Sequence, residues 1–187
     1  MPRKKRVELA GGIHHICARG VNKELIFRQD EDRVAYTAML AATTREYGWL
    51  CMGYCLMPNH VHLLLETPEP NLGAGMQWLQ GQYGRSFNKQ YARSGHLFQD
   101  RFHQELITDE GHLLAAVGYI AVNPVAGGLC SDPAEWRWSS HWSVAAGQPA
   151  PWLAHEHLLD RLEAIAGSRC YQRLVDARVK ALIDTDS

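Results

Sequence analysis

The segment Pro58-Asn59-His60-Val61-His62-Leu63-Leu64-Leu65-Glu66 carries the most chemical content in the chain. On a strand side chains alternate, so His60 and His62 face one way while Val61, Leu63 and Leu65 face an apolar side. Two imidazoles roughly 6 to 7 Å apart along one strand can converge on a single divalent ion. They can equally be a histidine pair on a solvated sheet face, or one histidine held by a hydrogen bond. Tyr119 and Asn123 form a second set, in Gly118-Tyr119-Ile120-Ala121-Val122-Asn123-Pro124. Four apart on a helix, they share one face about 5 to 6 Å from each other. If that helix crosses the sheet, Asn123 can be a third ligand beside His60 and His62, with Tyr119 next to it. Two imidazoles and an amide oxygen leave positions open for a phosphate oxygen, as Mg²⁺ or Mn²⁺ chemistry on phosphodiesters requires. A core tyrosine and a helix-terminal asparagine would give the same pattern.

The elements that must position these residues follow from periodicity and punctuation. Gly12 to Arg19 reads as a strand ended by Gly20 and Asn22. Asp30 can cap a helix from about 31 to 47, with Val34, Met39 and Leu40 as its apolar stripe and Gly48 as its stop. Trp49 to Met57 and His60 to Glu66 form a hairpin about Pro58-Asn59. Leu72 to Tyr91 is helical, with Tyr83, Phe87 and Tyr91 at successive i+4 positions. Arg101 to Ile107 reads as a fourth strand, and Asp109 caps a helix from about 110 to 122 that Pro124 ends. The order βαββαβ plus a helix predicts an α+β, ferredoxin-like split βαβ sandwich. Its antiparallel sheet of four or five strands carries helices on one face and leaves the other open for the site. Three regions are expected: a basic arm (1–10), a catalytic domain (11–130), and an extension (131–187) with four tryptophans and a final helix from about 155 to 183.

The 187 residues are 46% hydrophobic and 21% charged, which suits one globular domain and excludes wholesale disorder. No apolar run reaches the roughly 18 to 20 residues that span a bilayer, so a soluble, cytoplasmic protein is expected. The five scattered cysteines include no C-x-x-C pair, and Cys51 and Cys55 lie too far apart along a strand to share an ion. A net charge of −1 excludes a uniformly basic polyanion binder and directs attention to local patches. These are Arg3, Lys4, Lys5 and Arg6 in the arm, and Arg85, Lys89 and Arg93 at i+4 on the second helix. Arg19 ends the first strand, and Arg101 and His103 share a face of the fourth. Each is a candidate phosphate or base contact. Of His14 and His15, adjacent on a strand, at most one can approach the ion.

Several dispersed stretches resemble the single-tyrosine HUH transposases, and within them the REP-associated tyrosine transposases. They are Gly-Tyr-Cys-Leu-Met-Pro-Asn-His-Val-His-Leu-Leu-Leu (53–65), Gly-His-Leu-Phe-Gln-Asp-Arg-Phe (95–102), Tyr119-Ile120 with Asn123-Pro124-Val125, and Trp138-Ser139-Ser140. The resemblance implies cleavage and rejoining of single-stranded, REP-type hairpin DNA. Tyr119 would be the nucleophile forming a 5′-phosphotyrosine, and His60, His62 and Asn123 would hold Mg²⁺ or Mn²⁺. It leaves open a monomer or a homodimer. A covalent intermediate conserves the phosphoester bond, in keeping with the lack of a G-x-x-x-x-G-K-[ST] loop. Two other readings are a non-catalytic hairpin-binding protein on the same scaffold and a metal-dependent phosphodiesterase that uses water. The chain departs from the family where Asn-Pro-Val is followed by Ala126, a position where relatives carry arginine.

Overall fold

A computed structural model describes residues 8–185; Arg3, Lys4, Lys5 and Arg6 lie outside the described residues. The elements run β1 (Gly12–Arg19), α1 (Asp30–Tyr47), β2 (Leu50–Met57), β3 (His60–Thr67), α2 (Leu72–Gln90), β4 (His103–Leu106), α3 (Glu110–Ala126), α4 (Ser140–Ala145), α5 (His155–Ala166) and α6 (Cys170–Thr185). The sheet order is β2-β3-β1-β4, with β1 antiparallel to both neighbours and β2 to β3. This is the split βαβ sandwich. No helix among the described residues is long and apolar enough to cross a membrane.

Both faces of the sheet are covered. Ile16, Ala18, Val61, Leu63 and Leu65 pack with Tyr36 and Leu40 of α1 and Met76, Leu79, Tyr83 and Phe87 of α2. The opposite face is roofed by α3 and the C-terminal helices, where Met52, Leu64, Val117, Ile120, Leu158 and Leu162 form a second core. The face expected to stand open is therefore mostly closed, and the site occupies a corner left beside α3. Glu66 fixes the cover in place, accepting from Arg161 Nη2 at 2.9 Å with His157 Nε2 at 2.8 Å, both on α5.

Several local expectations are corrected. Gln29, not Asp30, caps α1, through a reciprocal pairing with Asp32. Val34 is exposed, and the inward stripe of α1 contains Arg33, Tyr36, Leu40, Thr43 and Thr44. Arg33 can be there because its guanidinium lies over the Phe27, Trp136 and Trp138 rings. β4 is shorter than expected, so Arg101 precedes it and only His103 stands on the strand. α2 stops at Gln90; Arg93 therefore lies off the helix, with Nη2 2.6 Å from Glu24 Oε2. α3 runs through Pro124, whose fixed φ is helical and whose missing N–H costs one bond in the last turn. The expected final helix is two, α5 and α6, broken where Gly167 and Arg169 take positive φ.

Gly75 sets how closely α2 meets the sheet. A Cβ there would stand 2.2 Å from the Trp49 ring, whose Nε1 donates to Asn71 Oδ1 at 2.7 Å. Gly75→Ala should therefore destabilise the protein by about 1–3 kcal/mol; urea unfolding checks this, and an unchanged midpoint contradicts the close approach.

His141 and His155 are buried in the C-terminal cover, and desolvation holds both below the ordinary imidazole value. The unfolded chain protonates them below about pH 6.5 while the folded chain does not. Their contribution is thus complete above pH 6.5 and declines as the pH falls below it. The melting temperature should drop between about pH 7.5 and 5.5, and His141→Gln with His155→Gln should flatten that slope. An identical slope in the double variant contradicts the assignment.

Candidate active site

Register decides which side chains meet. Arg19 pairs with His60, Cys17 with His62, and His15 with Leu64 across β1 and β3, while Glu105 and His103 of β4 pair with His15 and Cys17. Directly opposed residues share a face. Arg19, His15, His60, His62, His103 and Glu105 thus lie on the side roofed by α3, and His14 lies beneath the other helices. The tight turn Pro58-Asn59 holds His60 at its start: Asn59 Oδ1 is 2.7 Å from His60 Nδ1, and its Nδ2 donates to Lys23 O at 3.1 Å.

The α3 helix brings the second set onto this face. Its N-cap Asp109 accepts from the His112 backbone N–H at 2.8 Å, and its inward residues seat it over β2 and β3. Tyr119 then stands edge-on to His62 with ring centroids 5.2 Å apart, and to His15 at 5.8 Å. It is 47% exposed, so its hydroxyl is within reach of a macromolecular substrate. One turn on, the buried Asn123 side chain hydrogen-bonds His60. The His60 and His62 rings are 5.0 Å apart. Tyr119 and the two histidines thus come together within one chain.

The electrostatics favour neutral imidazoles. Desolvation, reinforced by His60, His15 and Arg19, pushes His62 down to about 3, and desolvation followed by Arg19 lowers His60. Neutral rings are the form that ligates metal. His62 is only 3% exposed, and among the described residues its Nε2 has no hydrogen-bond partner. A buried, unpartnered ring nitrogen beside a second imidazole and an amide side chain is a donor set that suits a divalent cation. The residues present therefore fit a divalent ion. Among the described residues no group of three His, Cys, Asp or Glu side chains is arranged to hold one; the side chains at this corner that could ligate an ion are those of His60, His62 and Asn123.

Of the expected nucleic-acid contacts, Arg19 and His103 flank the site, and Arg85 and Arg101 line a separate groove of about 620 Å³ between α2 and residues 95–101. That groove also contains Gly81, Gly84, His96 and Phe98, and its Gln99 donates its backbone N–H to Arg19 O, at the end of β1, at 2.9 Å. Lys89 is exposed on α2, and Arg93 is paired through Nη2 with Glu24. Ala126 is exposed in the last turn of α3. Of His14 and His15 it is His15 that faces the site, and beside it stands Glu105, which the sequence reading does not single out. Alternation along β1 and β4 carries the signal, but the register across three strands is needed to bring them to His62.

The family model described as "Transposase IS200 like" matches residues 11–123, which include every residue of this corner. A Haemophilus influenzae protein named as a REP-associated tyrosine transposase is 31% identical over 116 residues, 56% of this chain and 66% of that protein, so the chain spans slightly under two thirds of its relative. The solved structure of a REP-associated tyrosine transposase bound to a REP hairpin aligns with a TM-score of 0.65 at 19% identity, covering 81% of this chain and 90% of that one. That likeness establishes the shared fold.

Proposed function

From its membership of the IS200-like transposase family, to which the chain belongs, and from the approach of Tyr119 to His62, we propose that this protein cleaves and rejoins single-stranded hairpin DNA through Tyr119. The observation that carries the reading is the exposed phenol standing 5.2 Å, ring to ring, from a buried histidine whose Nε2 is bare.

In the proposed reaction the Tyr119 hydroxyl oxygen attacks a backbone phosphorus. The P–O3′ bond breaks, the 3′-oxygen leaves with a proton as a free hydroxyl, and the 5′ side stays on the tyrosine as a phosphodiester. Rejoining is the reverse displacement: a 3′-hydroxyl attacks the same phosphorus and the phenol is released. Phosphoester bonds are exchanged one for one, and no triphosphate is needed. His60, His62 and Asn123 would hold Mg²⁺ or Mn²⁺, which when bound would polarise the scissile phosphate and favour phenolate. The α3 helix fixes the distance between the tyrosine and the ligands, because Tyr119 and Asn123 are one turn apart on the same rigid element. Arg19, paired across the strands with His60, is placed to meet the phosphate as it arrives. The groove lined by Arg85 and Arg101 gives the strand a cationic path to that point. REP-type hairpins are the proposed substrate, by similarity to the relatives.

Incubation with labelled hairpin DNA and Mn²⁺, read on a denaturing gel, should give a covalent protein–DNA adduct. Tyr119→Phe should lose both the adduct and the cleaved strand, and His60→Ala should lose both without unfolding. Cleavage that persists in Tyr119→Phe would mean that water is the nucleophile; tight hairpin binding with no cleavage in the wild type would mean a binding protein.

Arg85→Ala with Arg101→Ala should weaken hairpin binding and lower the slope of log K against log salt by about 1 to 2, since each lost phosphate contact removes roughly 0.7 to 0.9. An unaltered slope returns the groove to ordinary surface.

A further inference from the structure

We infer that His15 is a positioning residue for the ion site: it accepts a hydrogen bond from His62 Nδ1 and so turns the bare His62 Nε2 toward the ligand position. This rests on the metal reading proposed above and extends it to a residue that contacts neither ion nor substrate. His15 Nε2 lies 3.0 Å from His62 Nδ1, with the ring centroids 5.2 Å apart. Two neutral imidazoles at that distance share a single hydrogen, so one ring donates and the other accepts.

The neighbours of His15 decide which ring donates. Glu105, its cross-strand partner on β4, places Oε2 3.9 Å from His15 Nδ1, while Oε1 of the same carboxylate is 3.4 Å from His112 Nε2. A carboxylate only accepts, so it favours the form of His15 that carries its hydrogen on Nδ1. His15 Nε2 is then left as an acceptor, and His62 must donate from Nδ1. A neutral imidazole has one N–H, so His62 Nε2 carries a lone pair, and this atom has no hydrogen-bond partner among the described residues. The opposite arrangement would aim an N–H at the ligand position and repel a cation. The hydrogen bond between the two rings sets the His62 ring angle, and the nearby carboxylate biases the tautomer electrostatically, as partners behind metal ligands do elsewhere.

The test uses the full chain and Mn²⁺ alone, with affinity read by calorimetry or electron paramagnetic resonance and the His62 tautomer read by ¹⁵N NMR in metal-free protein. His60→Ala serves as the control that removes a ligand. The wild type should bind Mn²⁺, with His62 carrying its hydrogen on Nδ1. His15→Leu should weaken binding about 10- to 100-fold, and His15→Gln, whose amide oxygen can still accept, should recover part of it. Wild-type affinity in His15→Leu, or a hydrogen on His62 Nε2 in the wild type, overturns the inference while leaving the ion site intact. Failure of the wild type to bind Mn²⁺, or equal binding by His60→Ala, overturns the ion site itself. If His15→Leu does not fold, the wild-type tautomer and His15→Gln still decide the matter.

Discussion

The whole arrangement depends on β3 being covered on both faces while having two different faces. Its odd positions, Val61, Leu63 and Leu65, are buried against α1 and α2, and this anchors the strand at the centre of the sheet. A slip of one residue would drive the imidazoles into that apolar layer and the leucines out of it, so the register is strongly specified. The even positions are consequently held under α3 with little freedom. There the lack of water keeps His62 neutral, and the lack of a protein partner leaves its Nε2 bare. Burial thus supplies both the precision and the charge state that the proposed chemistry requires.

The C-terminal helices help to keep α3 in position. Gly118, next to Tyr119, is so close to α6 that a Cβ there would meet Arg178 Cγ at 3.0 Å, and Glu66 ties α5 to the same strand that carries His60 and His62. The segment beyond residue 130 therefore contributes to the rigidity of the tyrosine helix, a role its sequence does not announce.

Much of the frame is legible in the sequence because it is written in short-range patterns. Alternation about His60 and His62, the i+4 spacing of Tyr119 and Asn123, and the turn at Pro58-Asn59 each require only neighbouring residues to interpret. Non-local features were not legible. The closure of the second face depends on α5 and α6 folding back over β2, and Gly167 was too weak a signal to divide one apolar periodicity into two helices. Pro124 signals a helix end by its residue type, yet it falls in the last turn of α3, where one missing N–H matters little. Arg93 was placed on a helix by spacing alone, whereas its pairing with Glu24 crosses 69 residues. His15 and Glu105 become partners of His62 only through the registers of β1 with β3 and β4.

The central claim is that Tyr119 itself takes up the DNA strand. After reaction with hairpin DNA and Mn²⁺ and digestion of the DNA with nuclease, mass spectrometry of the peptide containing Tyr119 should find a nucleotide attached through phosphate to that tyrosine. Cleaved DNA with an unmodified Tyr119 peptide, or the nucleotide on any other residue, would contradict the account.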